Sequence, residues 1–191
     1  EDYQIHTGDF NADGLLDNVG MKVYPSKVHL LFNKNNKGTF GASKSVDLNT
    51  SIPQDARIII NDFDANGTSD IAFCWLQDHK LYFQMAYCST FLKGSDIGTP
   101  TMGKLMSTSI DKSIKKNEIF YASNDFNGDG LPDIYCYYYK SNSVKLIFGL
   151  NSALKDFTVK PIKSLSTIFK NGQQNDTIPD NLPINLGDYN S

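Results

Sequence analysis

The chain has 191 residues, 40% hydrophobic and 12% aromatic, which is enough apolar material to build a core and too much for a disordered chain. Its formal net charge is −3, and no Lys/Arg stripe with interleaved aromatics runs through it, which argues against a nucleic-acid partner. No stretch reaches the roughly 18 to 20 apolar residues of a spanning helix, so membrane insertion is not expected.

In chain order, an alternating run at residues 3–6 predicts a strand, and it leads into the segment DFNADGLLD from Asp9 to Asp17. Further runs at 19–24, 28–32 and 44–48 predict three more strands, rich in the β-branched and aromatic residues that suit a pleated surface. The same order then returns: a run at 57–60, DFDANGTSD from Asp62 to Asp70, and runs at 71–76, 81–87 and 104–108. It returns again as a run at 119–121, DFNGDGLPD from Asp125 to Asp133, and runs at 134–139, 144–148 and 157–162. A fourth copy opens with Asp188-Tyr189-Asn190. Stretches 92–102 and 169–182, with their Gly, Asn, Asp and Pro, read as loops.

This is an all-β pattern with a long internal repeat, which places the whole chain, 1–191, in one repeat region. The repeats run approximately 1–54, 55–117 and 118–181, with a truncated fourth at 182–191. Each is a unit of about four strands, and each nine-residue segment joins the first two strands of its unit.

The nine-residue segments carry the chemistry. Positions 1, 3, 5 and 9 all bear side-chain oxygens: Asp9, Asn11, Asp13 and Asp17, then Asp62, Asp64, Asn66 and Asp70, then Asp125, Asn127, Asp129 and Asp133. A hard dication takes about six to eight oxygen ligands, and a short loop supplies them when alternate residues point inward. Position 7, occupied by Leu15, Thr68 and Leu131, is expected to offer its backbone carbonyl. Position 6 is Gly14, Gly67 or Gly130, because a chain reversing around an ion needs a residue that tolerates positive φ. The aromatic at position 2, Phe10, Phe63, Phe126 or Tyr189, has no ligand chemistry and is expected in the core. Calcium, at about three ions, is the expected cofactor, since magnesium prefers strict octahedral geometry and retained water. Three bound dications would turn the net charge from −3 to +3.

Competing readings fail on particular residues. An EF-hand begins with the same Asp-x-Asn-x-Asp-Gly but needs Glu at position 12, where this chain has Gly20, Phe73 and Cys136, and it needs a helix where strand-like sequence follows. Cys74, Cys88 and Cys136 are an odd set with no Cys-x-x-Cys spacing, which removes zinc and thioredoxin-like chemistry and leaves open either one disulfide or buried thiols. His6, His29 and His79 stand far apart, and neither Gly-x-Ser-x-Gly nor a glycine-rich phosphate loop occurs, so no catalytic activity is expected.

In these loops, and in the run Leu31-Phe32-Asn33-Lys34-Asn35-Asn36-Lys37-Gly38-Thr39-Phe40, the chain resembles the FG-GAP and VCBS repeat family, found in integrin α-subunits and secreted bacterial proteins. The resemblance implies β-propeller blades of four strands, with a calcium loop in the first hairpin of each. It also implies that this chain is part of a larger ring of about seven blades, since three cannot close one. A secreted or cell-surface location is implied in turn, with a protein or glycan ligand, or neighbouring blades or subunits, as partner. The function so implied is a calcium-stabilised, non-catalytic recognition, adhesion or scaffold module. A structural propeller of a secreted toxin assembly and a lectin-like or carbohydrate-active accessory domain are the alternatives.

Overall fold

The structure, a computed structural model, describes residues 3–90, 96–110, 112–125, 130–138, 143–149 and 157–161. Three antiparallel sheets form, each a meander in chain order. The first is β1 (Gln4–Gly8), β2 (Asp17–Tyr24), β3 (Lys27–Asn36) and β4 (Thr39–Leu48). The second is β5 (Arg57–Asn61), β6 (Asp70–Gln77) and β7 (Lys80–Tyr87), with β8 (Thr101–Met102) and β9 (Met106–Ser109) both paired to β7. The third is β10 (Ile119–Asn124), β11 (Asp133–Tyr138), β12 (Ser143–Gly149) and β13 (Phe157–Pro161). Among the described residues no helix is long and apolar enough to cross a membrane.

The second sheet corrects the expectation of four strands per unit, because its outer edge is two short strands in place of one. Residues 101–102, expected in a loop, form β8, and the ladder breaks at Gly103. There the Gly103 amide donates to the Met85 carbonyl at 2.8 Å, and a Cβ would stand 2.8 Å from the Tyr87 ring. The chain thus crosses close over β7 before pairing with it again. The tight turns follow local chemistry. Lys37-Gly38 between β3 and β4, and Asp78-His79 between β6 and β7, all take positive φ, as two-residue hairpin loops require when their twist must match the strands.

Packing explains the near-continuous apolar run Ile71 to Leu76. Successive side chains of a strand point to opposite faces, and here both faces are covered. Ile71, Phe73 and Trp75 join Phe10, Val19, Met21, Leu30 and Phe32 of the first unit in one core. Ala72, Cys74 and Leu76 join Leu81, Phe83, Ile119, Ile134 and Cys136 in a second core shared with the third unit. The second sheet is therefore the middle layer of three. Phe10 is fully buried, edge-on to Phe32 at 5.1 Å between ring centroids, and Phe63 is buried in the second core, so both described position-2 aromatics serve packing. Burying such a ring contributes about 1.5–3 kcal/mol. The cysteines Cys74, Cys88 and Cys136 are buried free thiols, which closes the disulfide alternative.

The first strands of the sheets stand side by side, β5 in contact with both β1 and β10. This brings the first two nine-residue loops, and the described neck of the third at Asp125 and Asp133, to one end of the layered sheets.

Candidate metal centre

Each loop is pinned at its neck by the strand register. The residue before position 1 pairs with position 9: Gly8 with Asp17, Asn61 with Asp70, and Asn124 with Asp133. Position 9 is thereby the first residue of the second strand, and Asp17, Asp70 and Asp133 are fully buried.

A carboxylate in that place must find donors, and it finds backbone amides. Asp17 accepts from Phe10 N at 3.0 Å through Oδ2 and from Asn35 N at 2.7 Å through Oδ1. Asp70 repeats the arrangement with Phe63 N at 2.9 Å and Cys88 N at 2.7 Å. In both units the second donor lies 18 residues beyond the acid, at the end of the third strand. Position 9 is thus a clamp between the loop and the sheet.

Position 1 organises the turn. Asp9 Oδ1 accepts from Asp13 N at 3.1 Å and Oδ2 from Gly14 N at 2.8 Å. Asp62 does the same with Asn66 N at 3.0 Å and Gly67 N at 2.8 Å, and Asp125 Oδ2 accepts from Gly130 N at 2.8 Å. The position-6 glycines take the expected left-handed backbone, with φ of 83° at Gly14, 87° at Gly67 and 84° at Gly130. Ala12 and Ala65 at position 4 are left-handed as well, at 57° and 53°. The sequence gives no sign of this, since alanine ordinarily avoids that region.

The loops differ at positions 3 and 5. In the first, Asn11 Nδ2 donates to Asp13 Oδ2 at 3.1 Å, and Asp13 Oδ1 accepts from Leu15 N at 2.8 Å. In the second, Asn66 Oδ1 accepts from Thr68 N at 2.7 Å and Asn66 Nδ2 donates to the Cys88 carbonyl at 2.8 Å, while the Thr68 hydroxyl, with one proton to give, stands within reach of both Asn66 Oδ1 and the Cys88 carbonyl. Asp64 is turned inward and buried, and its Oδ1 receives no hydrogen bond.

The carboxylates of Asp62, Asp64 and Asp70 consequently gather, each offering an oxygen within 4.8 Å of the others. Among the described residues this is the one group of three acids so placed; Asp9, Asp13 and Asp17 are not drawn together as closely. In the third loop Asp125, Leu131 and Asp133 are described, while the expected ligands Asn127 and Asp129 lie outside the described residues. The fourth copy at 182–191 lies outside them too.

Electrostatics follows the crowding. Burial pushes Asp70 up to about 8, the Cys88 and Phe63 amides oppose it, and the Asp64 and Asp62 charges add to it. Burial also raises Asp62, with Asp64 contributing in the same direction. Asp17 is raised by burial too, less strongly, against its two amide donors. A buried, inward-facing set of hard oxygens that repel one another is suited to a dication, whose charge would reverse the sign of every pair.

These features define an all-β protein with a carboxylate-lined loop between antiparallel strands. A scan of protein-family models and searches of curated proteins and solved structures found no match to the chain.

Proposed function

We infer that the loops bind divalent cations, calcium first among them, and that the chain is a calcium-stabilised, non-catalytic recognition or scaffold module of the FG-GAP and VCBS type. The observation that carries this reading is the convergence of Asp62, Asp64 and Asp70 within 4.8 Å in a buried setting. Asp62, Asp64 and Asp70 would supply carboxylates, Thr68 its carbonyl, and Asn66 its side-chain oxygen once the Thr68 donors release it. The first and third loops would bind through Asp9, Asn11, Asp13, Leu15 and Asp17, and through Asp125, Asn127, Asp129, Leu131 and Asp133.

The repeat period, the three face-packed sheets and the adjacent first strands support reading the sheets as successive propeller blades, with further blades completing the ring. Such a ring presents loops at its two ends to a protein or glycan ligand, and calcium would stiffen those at one end. A location outside the cell, where calcium is abundant, goes with that role.

The test is thermal unfolding of the chain with calcium and with a chelator, alongside Asp64→Asn. At about a hundredfold over its dissociation constant, calcium adds roughly 2.7 kcal/mol per independent site. The expected result is a clear rise in midpoint that shrinks in Asp64→Asn. Identical curves with calcium and chelator would remove the cation reading.

A further inference from the structure

The loops do not stand apart. The backbone carbonyl of Asp9, position 1 of the first loop, accepts from the amide of Ser69 in the second at 2.6 Å. Ser69 lies between the buried Thr68 and Asp70, two of the positions assigned to the cation. Gly8 makes this approach possible. A Cβ there would stand 2.7 Å from Ile60 Cγ2 and 2.8 Å from Ser69 Cβ and Oγ, so no larger residue fits. Its backbone is not left-handed, and the glycine serves closeness alone. The loop tips also approach, since a Cβ built on Gly67 would lie 4.0 Å from that of Ala12.

A weaker junction joins the next pair. Asn61 Nδ2 donates to Ser123 Oγ at 3.1 Å, and Asn61 Oδ1 accepts from the Asp62 amide at 2.9 Å.

We propose that cation binding in the first two loops is cooperative, transmitted through the Ser69–Asp9 hydrogen bond. This rests on the cation reading above. An ion held by Asp70 and Thr68 fixes the peptide between them, and with it the direction of the Ser69 N–H. That N–H fixes the backbone of Asp9, whose carboxylate is the first ligand of the neighbouring loop. Ordering a backbone costs conformational entropy, and an ion that enters after the ordering no longer meets that cost. Direct electrostatics has the opposite sign, because a filled second loop attracts cations less, but salt screens it over a Debye length of about 8 Å at physiological ionic strength. The net expectation is a first loop that binds about fivefold more tightly when the second is filled, at the low end of usual coupling.

The experiment is a calcium titration of the full chain followed by NMR at the Gly14 and Gly67 amides, which report the first and second loops separately through their bonds to Asp9 and Asp62. In Asp64→Asn the Gly14 midpoint should move to about fivefold higher calcium. In Gly8→Ala, which forces the junction apart, the same Asp64→Asn change should move it less than about twofold. A Gly14 midpoint that ignores Asp64→Asn overturns the coupling while leaving the cation reading intact. Failure of both amides to respond to calcium in the unaltered chain overturns both. Should Gly8→Ala not fold, hydrogen exchange at the Ser69 amide replaces it: calcium should slow exchange in the unaltered chain and not in Asp64→Asn, and a rate indifferent to calcium overturns the coupling.

Discussion

In the first loop the middle acid is Asp13 and the amide is Asn11; in the second the acid is Asp64 and the amide is Asn66. The two segments have the same number of carboxylates and the same hairpin, yet their charges are arranged differently. At position 5 the acid is satisfied by neighbours within the turn, Leu15 N and Asn11 Nδ2. At position 3 it points into the neck of the loop beside Asp62 and Asp70, and Asp70 is pushed far above an ordinary carboxyl. Placement, and not acid count, sets how strongly an empty loop repels itself and how strongly it calls for a cation.

The largest expected effects concern what the loops share. Asp17→Ala and Asp70→Ala each remove a buried carboxylate that accepts two backbone amides, and each should cost on the order of 3 kcal/mol in denaturant unfolding. A loss below about 1 kcal/mol at either position would show that the amides find other partners there and that the clamps are not equivalent. Next comes an exchange of the difference itself. The double variant Asn11→Asp/Asp13→Asn gives the first loop the charge placement of the second, and it should tighten calcium binding there by about tenfold, or ~1.4 kcal/mol, in a calorimetric titration. No change would mean that the gathered carboxylates are not what governs affinity.

The pH response should also separate the loops. Asp70 holds its proton up to about 8 in the fold, whereas the unfolded chain releases it near 3.8. Across that window the unfolded state binds fewer protons, so in chelator the stability falls as pH rises. Saturating calcium should oppose this fall, since the ion displaces the proton more easily as pH approaches 8. Asp70→Asn should flatten the chelator curve, measured as unfolding midpoint against pH, more than Asp17→Asn does. A matched flattening would erase the distinction drawn between the loops. The smallest effect is at position 4, where Ala65→Gly relieves a left-handed alanine and should stabilise by about 0.5–1 kcal/mol, less whatever the extra chain entropy takes back.

Much of this architecture is legible in the sequence because side-chain type and spacing encode it. Alternation places Phe10 and Phe63 in the cores, glycine marks the reversal at Gly14, Gly67 and Gly130, and the unbroken apolar run after Asp70 marks a strand covered on both faces. What escapes is carried by backbone groups, which leave no residue signature. The amides of Asn35 and Cys88 that hold Asp17 and Asp70 could belong to any residue but proline. The two-residue strand β8 is too short to show a period. Gly8 reads as an ordinary loop glycine until the second loop is seen lying against it.

The middle position of β6 has a consequence for dividing the molecule. Ile71, Phe73 and Trp75 are covered by the first unit and Ala72, Cys74 and Leu76 by the third. Cutting the chain near residue 55 would strip one side of that strand and leave a sticky slab of isoleucine, phenylalanine and tryptophan facing water, a surface prone to self-association. Neighbouring repeats are therefore joint owners of their interiors, and recombining them in new orders will succeed only where the partners on both flanks are carried along.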